Sequence, residues 1–285
     1  VSNKARIKTI DFIILKEDAQ VKGKKQRAIL QSLKEEGGAC EKQALLRKAD
    51  STSQPLRSLM EKGLVSTMSQ ERYREIKSLY SLEDAPITLN EEQRYAKDMV
   101  SGSLNKYHPF LLHGVTSSGK TEIYIKLVKD VLSMNKSAIV LLPEISLTPK
   151  ITARFRSVFD NEVAVLHSRL SINEHYDEWR RILRGEAHVV IGARSAIFAP
   201  LETIGIIIVD EAHSDTYIQR DAPKYNAIDV AKLRASVHRA PVVLGSATPS
   251  VESMYEARMG DMTLLTLTQR ALKSKWPKIR LVDMR

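Results

Sequence analysis

One short stretch decides the fold: Gly114-Val115-Thr116-Ser117-Ser118-Gly119-Lys120-Thr121. It fits the pattern G-x-x-x-x-G-K-[ST], in which a glycine-rich loop joins a strand to a helix. The loop follows an apolar run, Phe110 to His113, and precedes a helical pattern from Thr121 to Met134. Its glycines let backbone N–H groups face a chain of phosphates, and the start of the helix adds the positive end of a dipole. The stretch therefore predicts a nucleotide-binding loop.

The last two residues of this loop carry most of its chemistry. The Lys120 ammonium can reach the β- and γ-phosphates, and the Thr121 hydroxyl can hold Mg²⁺. We therefore predict Lys120 as a catalytic residue and all eight residues as binding residues for ATP: Gly114, Val115, Thr116, Ser117, Ser118, Gly119, Lys120 and Thr121. The alternative is a chance match, which has a probability of about one in a hundred in a chain of this length.

A second element is an apolar strand that ends in two carboxylates. Residues Ile206 to Val209 lead directly into Asp210-Glu211-Ala212-His213. Ligands bind at the carboxyl ends of strands in open α/β sheets, so Asp210 is predicted to hold Mg²⁺ and Glu211 to deprotonate the attacking water. His213 would couple this site to its surroundings. Two carboxylates at the end of a strand also occur merely for solubility. Together with the glycine-rich loop, however, they indicate ATP hydrolysis.

The rest of the chain after residue 88 alternates short apolar runs with helical stretches. The runs are Phe110–His113, Ala138–Leu142, Val163–Leu166, Val189–Ile191, Ile204–Val209 and Val242–Leu244, and helical patterns cover Thr121–Met134, Pro149–Phe159 and Asn173–Arg184. This alternation predicts an α/β fold, a parallel sheet with helices on both faces, over residues 89–285. Residues 81–88 are predicted to be a linker.

The first 80 residues have a different pattern. Ile7–Leu15 predicts a strand, and residues 1–15 are interpreted as a remnant strand or linker from an upstream domain. Helices are predicted at Gln26–Leu33, at Lys42–Ala49 and from Ser51 to Lys62, and short strands at Leu64–Ser66 and Tyr73–Ile76. Three helices and a hairpin indicate a small winged-helix domain over residues 16–80. Lys24, Lys25, Arg57 and Lys62 are its candidate DNA contacts, with a purely structural or protein-docking role as the alternative.

Composition and charge limit the possible classes of protein. Of 285 residues, 43% are hydrophobic, 44 are Lys or Arg and 34 are Asp or Glu, a balance that excludes a mainly disordered chain. Residues 1–80 hold 17 basic against 10 acidic residues, a net charge of +7 out of +10, which favours an anionic partner such as nucleic acid. The single cysteine, Cys40, excludes an intramolecular disulfide and a cysteine-pair zinc site. No apolar run is long enough for a membrane span.

These motifs resemble the Walker A and DEAH boxes of superfamily 2 helicases, and more closely those of the bacterial primosomal helicases that restart replication. Two further motifs carry the resemblance: Gly245–Ser250 is similar to the S-A-T motif, and Leu89–Gln93 to a Q-type motif. Other matching segments are Leu142–Thr148, Leu166–Ser168, Trp179, Gly192–Pro200, Asp221–Ala231 and Val282–Arg285. Ser117 and Ala212 depart from the family pattern, which usually has a glycine and a glutamate there.

The resemblance implies a single RecA-like motor lobe at residues 89–285 and roles for further residues. Gln93 would hold adenine, and Ser246 and Thr248, with His213, would link ATP hydrolysis to strand separation. The segment from Ser214 to Tyr225 resembles an aromatic-rich loop that senses single-stranded DNA, so Tyr217 and Tyr225 are candidates for stacking on bases. The alternative is that both rings pack under a loop.

The function implied is that of an ATP-dependent 3′-to-5′ DNA helicase that binds forked DNA and assembles the primosome. Cofactors would be ATP and Mg²⁺, with zinc only in a part of the parent protein that is missing here. Partners would be forked and single-stranded DNA, single-stranded DNA-binding protein and other primosome proteins. We expect a monomer in the cytoplasm, at the bacterial nucleoid, and no membrane partner.

The chain lacks an initiator Met, and only 35 residues follow Ser250, whereas a second lobe needs roughly 100. We therefore expect an excised piece that binds DNA and does not unwind it, with ATP–Mg²⁺ binding left open. The alternatives are a DNA-binding and partner-docking module with a vestigial nucleotide site, and a P-loop enzyme that acts on a small molecule. The Gly245–Ser250 motif and the basic N-terminal region argue against the latter.

Overall fold

The computed structural model describes Ala5, residues 7–74 and residues 88–271. Within these ranges the chain divides into two compact units, one formed by the residues up to 74 with Ile172–Asp177, and the other by the remaining residues. The predicted linker, apart from Thr88, and the matching segment Val282–Arg285 lie outside the described residues. None of the described helices has the length and apolar character that a membrane crossing requires.

The described residues up to 74 form three helices and three strands of the N-terminal unit. In chain order they are β1 (Thr9–Leu15), α1 (Lys24–Glu35), β2 (Ala39–Glu41), α2 (Lys42–Lys48), α3 (Ser53–Glu61) and β3 (Val65–Glu71). The helices form because apolar side chains recur at helical spacing, as in α1, where Ile29, Leu30 and Leu33 are buried. The chain leaves α1 through Gly37 and Gly38, which have φ of +74° and +92°, values that glycine adopts without steric cost.

Strand β1 is the centre of a three-stranded antiparallel sheet of order β2-β1-β3. Its Ile13 lies opposite Cys40 and Thr67 and is fully buried in the core of this unit. The interpretation of residues 1–15 as a remnant of an upstream domain therefore does not hold for β1, because this strand supplies both the pairing and a core side chain of the N-terminal unit.

The end of the N-terminal unit also differs from the prediction. In place of the short strand expected at Leu64–Ser66, the longer strand β3 runs from Val65 to Glu71 and pairs with β1 along seven residues. Of the second strand, expected at Tyr73–Ile76, only residues 73 and 74 are described. Residues 72–74 are not in a strand, and residues 75 and 76 lie outside the described part of the chain.

The larger unit is built of alternating strands and helices. Its first elements are α4 (Glu91–Ser101), β4 (His108–Gly114), α5 (Lys120–Ser133), β5 (Ser137–Leu141), α6 (Pro149–Phe159), β6 (Val163–Leu166), α7 (Ile172–Leu183) and β7 (Val189–Gly192). Helix α7 belongs to this unit from Glu178 onward, since its first six residues are grouped with the N-terminal unit. They are followed by β8 (Ile204–Val209), β9 (Ile218–Gln219), β10 (Tyr225–Asn226), α8 (Ala227–Val237), β11 (Pro241–Ser246), α9 (Val251–Met259) and β12 (Thr263–Leu267).

Seven of these strands form one sheet of order β12-β4-β11-β8-β5-β7-β6, in which every pairing is parallel. One apolar core on one face contains side chains of α4, α5 and α6, and a second on the other face contains side chains of α7, α8 and α9. Within β5, Val140 belongs to the first core and Ile139 to the second, so the strand is buried on both sides. The α/β fold with a RecA-like parallel sheet is confirmed.

Candidate functional site

The glycine-rich loop runs from the end of β4 at Gly114 to the start of α5 at Lys120. Its backbone enters the left-handed region at Ser117, with φ of +65°, and at Gly119, with φ of +82°. A Cβ on Gly119 would also lie 2.4 Å from Gln93 Nε2, so this position requires glycine on two counts. Ser117 occupies a conformation that favours glycine, the residue that the resemblance leads us to expect at this place.

The side chains of this loop fit a bound anion. Lys120 is only 8% exposed, and its Nζ donates one hydrogen bond, 2.9 Å long, to the carbonyl of Gly114. Ser118 Oγ is buried and has no hydrogen-bond partner among the described residues. Within the described part of the chain the ammonium thus has one neutral acceptor and the hydroxyl has none, so both groups would gain from phosphate oxygens. The eight predicted residues form this loop and the first two positions of α5, and their roles toward ATP stay a prediction.

Asp210 follows β8 directly and is in contact with the helix that the loop opens. Tyr124 Oη, on α5, donates a hydrogen bond of 2.8 Å to Asp210 Oδ1. Because β11 alone separates β4 from β8, the loop and the acidic pair leave the same edge of the sheet. Burial raises the pKa of Asp210, while the Tyr124 hydrogen bond and the charge of Lys120 act in the opposite direction. The structure therefore brings the two predicted halves of the site together.

Thr121 and Asp210 are the predicted Mg²⁺ ligands. In the described ranges no group of three or more His, Cys, Asp or Glu side chains is arranged to hold a metal ion. A hydroxyl and one carboxylate fit a cation that arrives with a nucleotide, since Mg²⁺ then keeps several waters and takes one or two carboxylates together with phosphate oxygens.

Glu211 and His213 lie in a turn that is tied to the end of β11. Glu211 has φ of +46°, and the N–H of Ala212 donates to the carbonyl of Gly245 at 2.9 Å. His213 Nδ1 lies 2.8 Å from Ser246 Oγ and 3.5 Å from Glu211 Oε2. The predicted coupling residue His213 thus lies next to the predicted general base, and Ser246 contacts His213.

Thr248 is connected to the same group of residues. Its backbone N–H donates to Ser246 Oγ at 3.0 Å. Ser246 Oγ therefore accepts one hydrogen bond from the segment that follows β11 and makes a second with His213, in the turn after β8. A movement of either segment would therefore change a hydrogen bond to the other.

Gln93 supports the loop with both ends of its amide. Its Oε1 accepts from the backbone N–H of Asn90 at 2.9 Å, in a capping box at the start of α4, and its Nε2 donates to the carbonyl of Ser118 at 2.7 Å. The side chain is 4% exposed. The geometry assigns Gln93 to holding the loop, and its contact with adenine stays a prediction.

Tyr217 does not fit the predicted role in stacking on DNA bases. Its side chain is 1% exposed, and its hydroxyl donates to the backbone carbonyls of Asp210, at 2.6 Å, and of Leu141, at 3.2 Å. A ring buried in this way has no face for a base, so the structure favours the alternative, in which the ring packs under its loop, and we do not propose Tyr217 as a DNA contact. Its contacts instead hold the turn that carries the two acids.

A family model described as "DEAD/DEAH box helicase" matches residues 90–257, which contain the glycine-rich loop, the acidic pair and the Ser246 segment. The chain belongs to the DEAD/DEAH box helicase family. Over 266 residues it is 46% identical to the replication restart protein PriA of Bacillus subtilis (strain 168), covering 92% of this chain and 33% of that protein.

A second relative of this DEAD/DEAH box helicase is the replication restart protein PriA of Synechocystis sp., with 42% identity over 259 residues, 89% of this chain and 31% of that protein. The chain therefore spans about a third of the length of these relatives. Among solved structures, it is similar to the UvsW helicase from bacteriophage T4 with a TM-score of 0.47 and 14% identity, over 66% of this chain and 63% of that chain.

In this DEAD/DEAH box chain, Tyr225 at the end of the predicted aromatic loop forms a partly exposed cluster with Phe198 and Arg194. Tyr225 is half-buried, and its ring lies 5.0 Å from that of Phe198 in an edge-on arrangement and 5.9 Å from the Arg194 guanidinium. Arg194 Nη1 also donates to the carbonyl of Ile218 at 2.7 Å. Phe198 is 48% exposed, so this cluster offers an aromatic edge and a cation to solvent.

The predicted DNA contacts of the N-terminal unit separate into two kinds. Lys24, Arg57 and Lys62 are exposed and form no ion pair with any described residue. Lys25 is exposed too, but its Nζ lies 2.7 Å from Asp50 Oδ2, which neutralises its charge locally. The first three are therefore the better candidates for phosphate contacts.

Two contacts of the site have no signal in the sequence. Tyr124 lies on the buried side of α5, where its spacing indicates only a core residue. Glu122, next to Thr121, forms two hydrogen bonds of 3.0 Å with Arg154 on α6. Because these partners are 86 and 32 positions apart in sequence, no local pattern could have paired them.

Proposed function

We propose that the larger unit is the ATP-binding lobe of an ATP-dependent DNA helicase, and that the whole protein moves along DNA from 3′ to 5′. One observation carries the proposal: the Tyr124 hydroxyl on the loop helix lies 2.8 Å from the carboxylate of Asp210. A phosphate chain on the loop would therefore lie beside the carboxylate expected to bind its metal ion.

Each residue of the site has a distinct proposed role. Bound ATP–Mg²⁺ supplies the phosphoanhydride bond and the cation that neutralises charge as this bond breaks. Lys120 holds the phosphates with its buried ammonium, and Thr121 and Asp210 hold the cation. Glu211 orients the attacking water and accepts its proton.

The proposed DNA contacts lie in both units. For the N-terminal unit we propose a winged-helix fold, which its three helices and antiparallel sheet support, with Lys24, Arg57 and Lys62 on DNA phosphates. In the larger unit, Tyr225 with Phe198 and Arg194 is the proposed contact for single-stranded DNA. Stacking of bases on such rings does not depend on sequence, as a helicase requires.

We further propose that the whole protein restarts replication by binding forked DNA and assembling the primosome with single-stranded DNA-binding protein and other primosome proteins. The support is the similarity to replication restart proteins along about nine tenths of this chain. A helicase of this kind would work in the cytoplasm, at the nucleoid. Because this chain spans about a third of those relatives, unwinding and zinc binding are proposed for the whole protein only.

The proposal is tested by titrating the chain with a fluorescent ATP analogue in the presence and absence of Mg²⁺, and by measuring ATP turnover with and without forked DNA. We expect Mg²⁺-dependent binding that Lys120→Ala abolishes, and turnover that Glu211→Gln abolishes while binding persists. Lys129→Ala, an exposed lysine on the same helix, is the matched control and should bind as the unmodified chain does.

One outcome would contradict the proposed ATP-binding lobe, and another would contradict the role of Glu211. Absence of nucleotide binding in the unmodified chain, with DNA binding intact, would favour the DNA-binding and docking module with a vestigial nucleotide site. Normal ATP turnover by Glu211→Gln would mean that the general base is another residue.

A further inference from the structure

Tyr124, a buried tyrosine on α5, contacts Asp210 over the end of the strand that lies between β4 and β8. Tyr124 follows Lys120 by one helical turn, is 1% exposed and donates from its hydroxyl to Asp210 Oδ1 at 2.8 Å. Its helix, α5, follows β4, whereas Asp210 follows β8, and β11 lies between these strands. The phenol therefore crosses one strand to make this contact.

The strand that it crosses has no side chain at the point of crossing. A Cβ on Gly245 of β11 would lie 1.8 Å from Tyr124 Oη, 3.1 Å from Tyr124 Cζ and 3.1 Å from Asp210 Oδ1. No real Cβ tolerates a contact of 1.8 Å, and the neighbour is the end of a rigid ring held in the core, so it cannot turn aside cheaply. The absent side chain of Gly245 is what admits the hydroxyl.

The hydrogen bond also has a role beyond core packing, because it orients the Asp210 carboxylate. A phenylalanine would fill the same core space, but it would remove the side-chain donor that holds Asp210 Oδ1 and leave the carboxylate, among the described residues, only its hydrogen bond with the backbone of Glu211. Groups that hydrogen-bond to a metal ligand orient it, and their removal typically costs 10- to 100-fold in metal affinity or activity.

We propose that Tyr124 is a positioning residue that orients the Asp210 carboxylate toward the cation of a bound nucleotide, and that Gly245 is the gap through which it does so. This inference rests on the proposed function, because it takes Asp210 to be a metal ligand. It adds a positioning role to two residues, one in the helix after the loop and one in the strand that ends at Ser246.

The functional arm of the test uses Tyr124→Phe, which removes only the hydroxyl. The Mg²⁺ concentration needed for half-maximal binding of the fluorescent ATP analogue should rise about 10- to 100-fold, while binding without Mg²⁺ stays unchanged. Tyr255→Phe, on a tyrosine that is 63% exposed, is the matched control and should leave both quantities unchanged. An unaltered Mg²⁺ requirement in Tyr124→Phe would overturn the positioning role.

The structural arm needs no nucleotide. Gly245→Ala should lower the Tm strongly in the unmodified chain, and much less in a Tyr124→Phe background, because the 1.8 Å contact is then gone and the 3.1 Å contacts can relax. Equal losses in both backgrounds would overturn the proposed gap. If the unmodified chain binds no nucleotide but the two backgrounds differ as expected, the proposed function fails while the geometry stands, so the two failures are distinguishable.

Discussion

His213 Nδ1 and Ser246 Oγ lie 2.8 Å apart, so the turn after β8 and the end of β11 share a hydrogen bond. His213 is also 3.5 Å from Glu211 Oε2, and Ser246 also accepts from the backbone of Thr248. A movement of the segment after β11 would therefore reach the proposed general base through three successive contacts, Thr248 with Ser246, Ser246 with His213, and His213 with Glu211. Under the proposed function, this is the route by which ATP hydrolysis would be coupled to DNA.

The first prediction concerns this hydrogen bond. Ser246→Ala removes a partner of His213, and we expect the stimulation of ATP turnover by forked DNA to fall by about fivefold, the equivalent of one hydrogen bond of about 1 kcal/mol. The measurement compares turnover with and without DNA in the whole protein. Ser236→Ala, an exposed serine on α8, should retain full stimulation, and full stimulation in Ser246→Ala would contradict the coupling route.

The second prediction concerns the buried charge of Asp210. Burial raises its pKa in the folded chain above its unfolded value, so its ionised form destabilises the fold as pH rises through the folded pKa. Asp210→Asn removes this charge, and without nucleotide or Mg²⁺ its Tm should exceed that of the unmodified chain at pH 8. The advantage should shrink as pH falls through the raised pKa, where the aspartate is protonated.

Thermal melts from pH 8 downward measure this difference directly. Asp261→Asn, on an exposed residue of the larger unit, is the control and should change the Tm little at any pH. If Asp210→Asn were less stable than the unmodified chain at pH 8, the ionised carboxylate would be stabilising and the burial argument would be wrong.

The sequence predicted the sheet of the larger unit well, because its strands are runs of β-branched and apolar residues buried on both faces. Val163–Leu166 and Ile204–Val209 have the predicted bounds, and the other predicted strands differ by at most two residues at an end. Helix α8 was not predicted, because its buried face consists of Ala227, Ala231 and Ala235, which are too small to mark a face clearly. The final strand, β12, was not predicted either.

The site was predictable where its parts are continuous in sequence. The glycine-rich loop and the Asp210 turn are motifs whose residue types follow from phosphate and metal chemistry. The contacts that join the loop and the Asp210 turn could not be predicted from the sequence, because Tyr124 and Tyr217 reach Asp210 only once the sheet has formed. For Tyr217, resemblance indicated an accessible ring, and burial overrode it.

The third prediction tests whether β1 belongs to the N-terminal unit. Ile13 is fully buried there and pairs on both sides, so Ile13→Ala should destabilise this unit by about 2–5 kcal/mol through the cavity that it leaves. Denaturant unfolding of the chain measures this loss. Ile7→Ala, on a residue that is 46% exposed and precedes the strand, is the control, and equal effects of the two changes would contradict the central role of β1.

The last prediction separates DNA contact in the N-terminal unit from a general effect of charge. Arg57→Ala with Lys62→Ala should weaken DNA binding and reduce the slope of log affinity against log salt by up to about 2, since each phosphate contact releases roughly 0.9 counterion. Lys106→Ala with Lys129→Ala removes the same net charge from exposed residues of the larger unit and should leave the slope nearly unchanged. Salt titrations on forked DNA give both slopes. Equal reductions in the two double variants would mean that DNA responds to net charge alone, and no reduction in the first would remove Arg57 and Lys62 from the DNA surface.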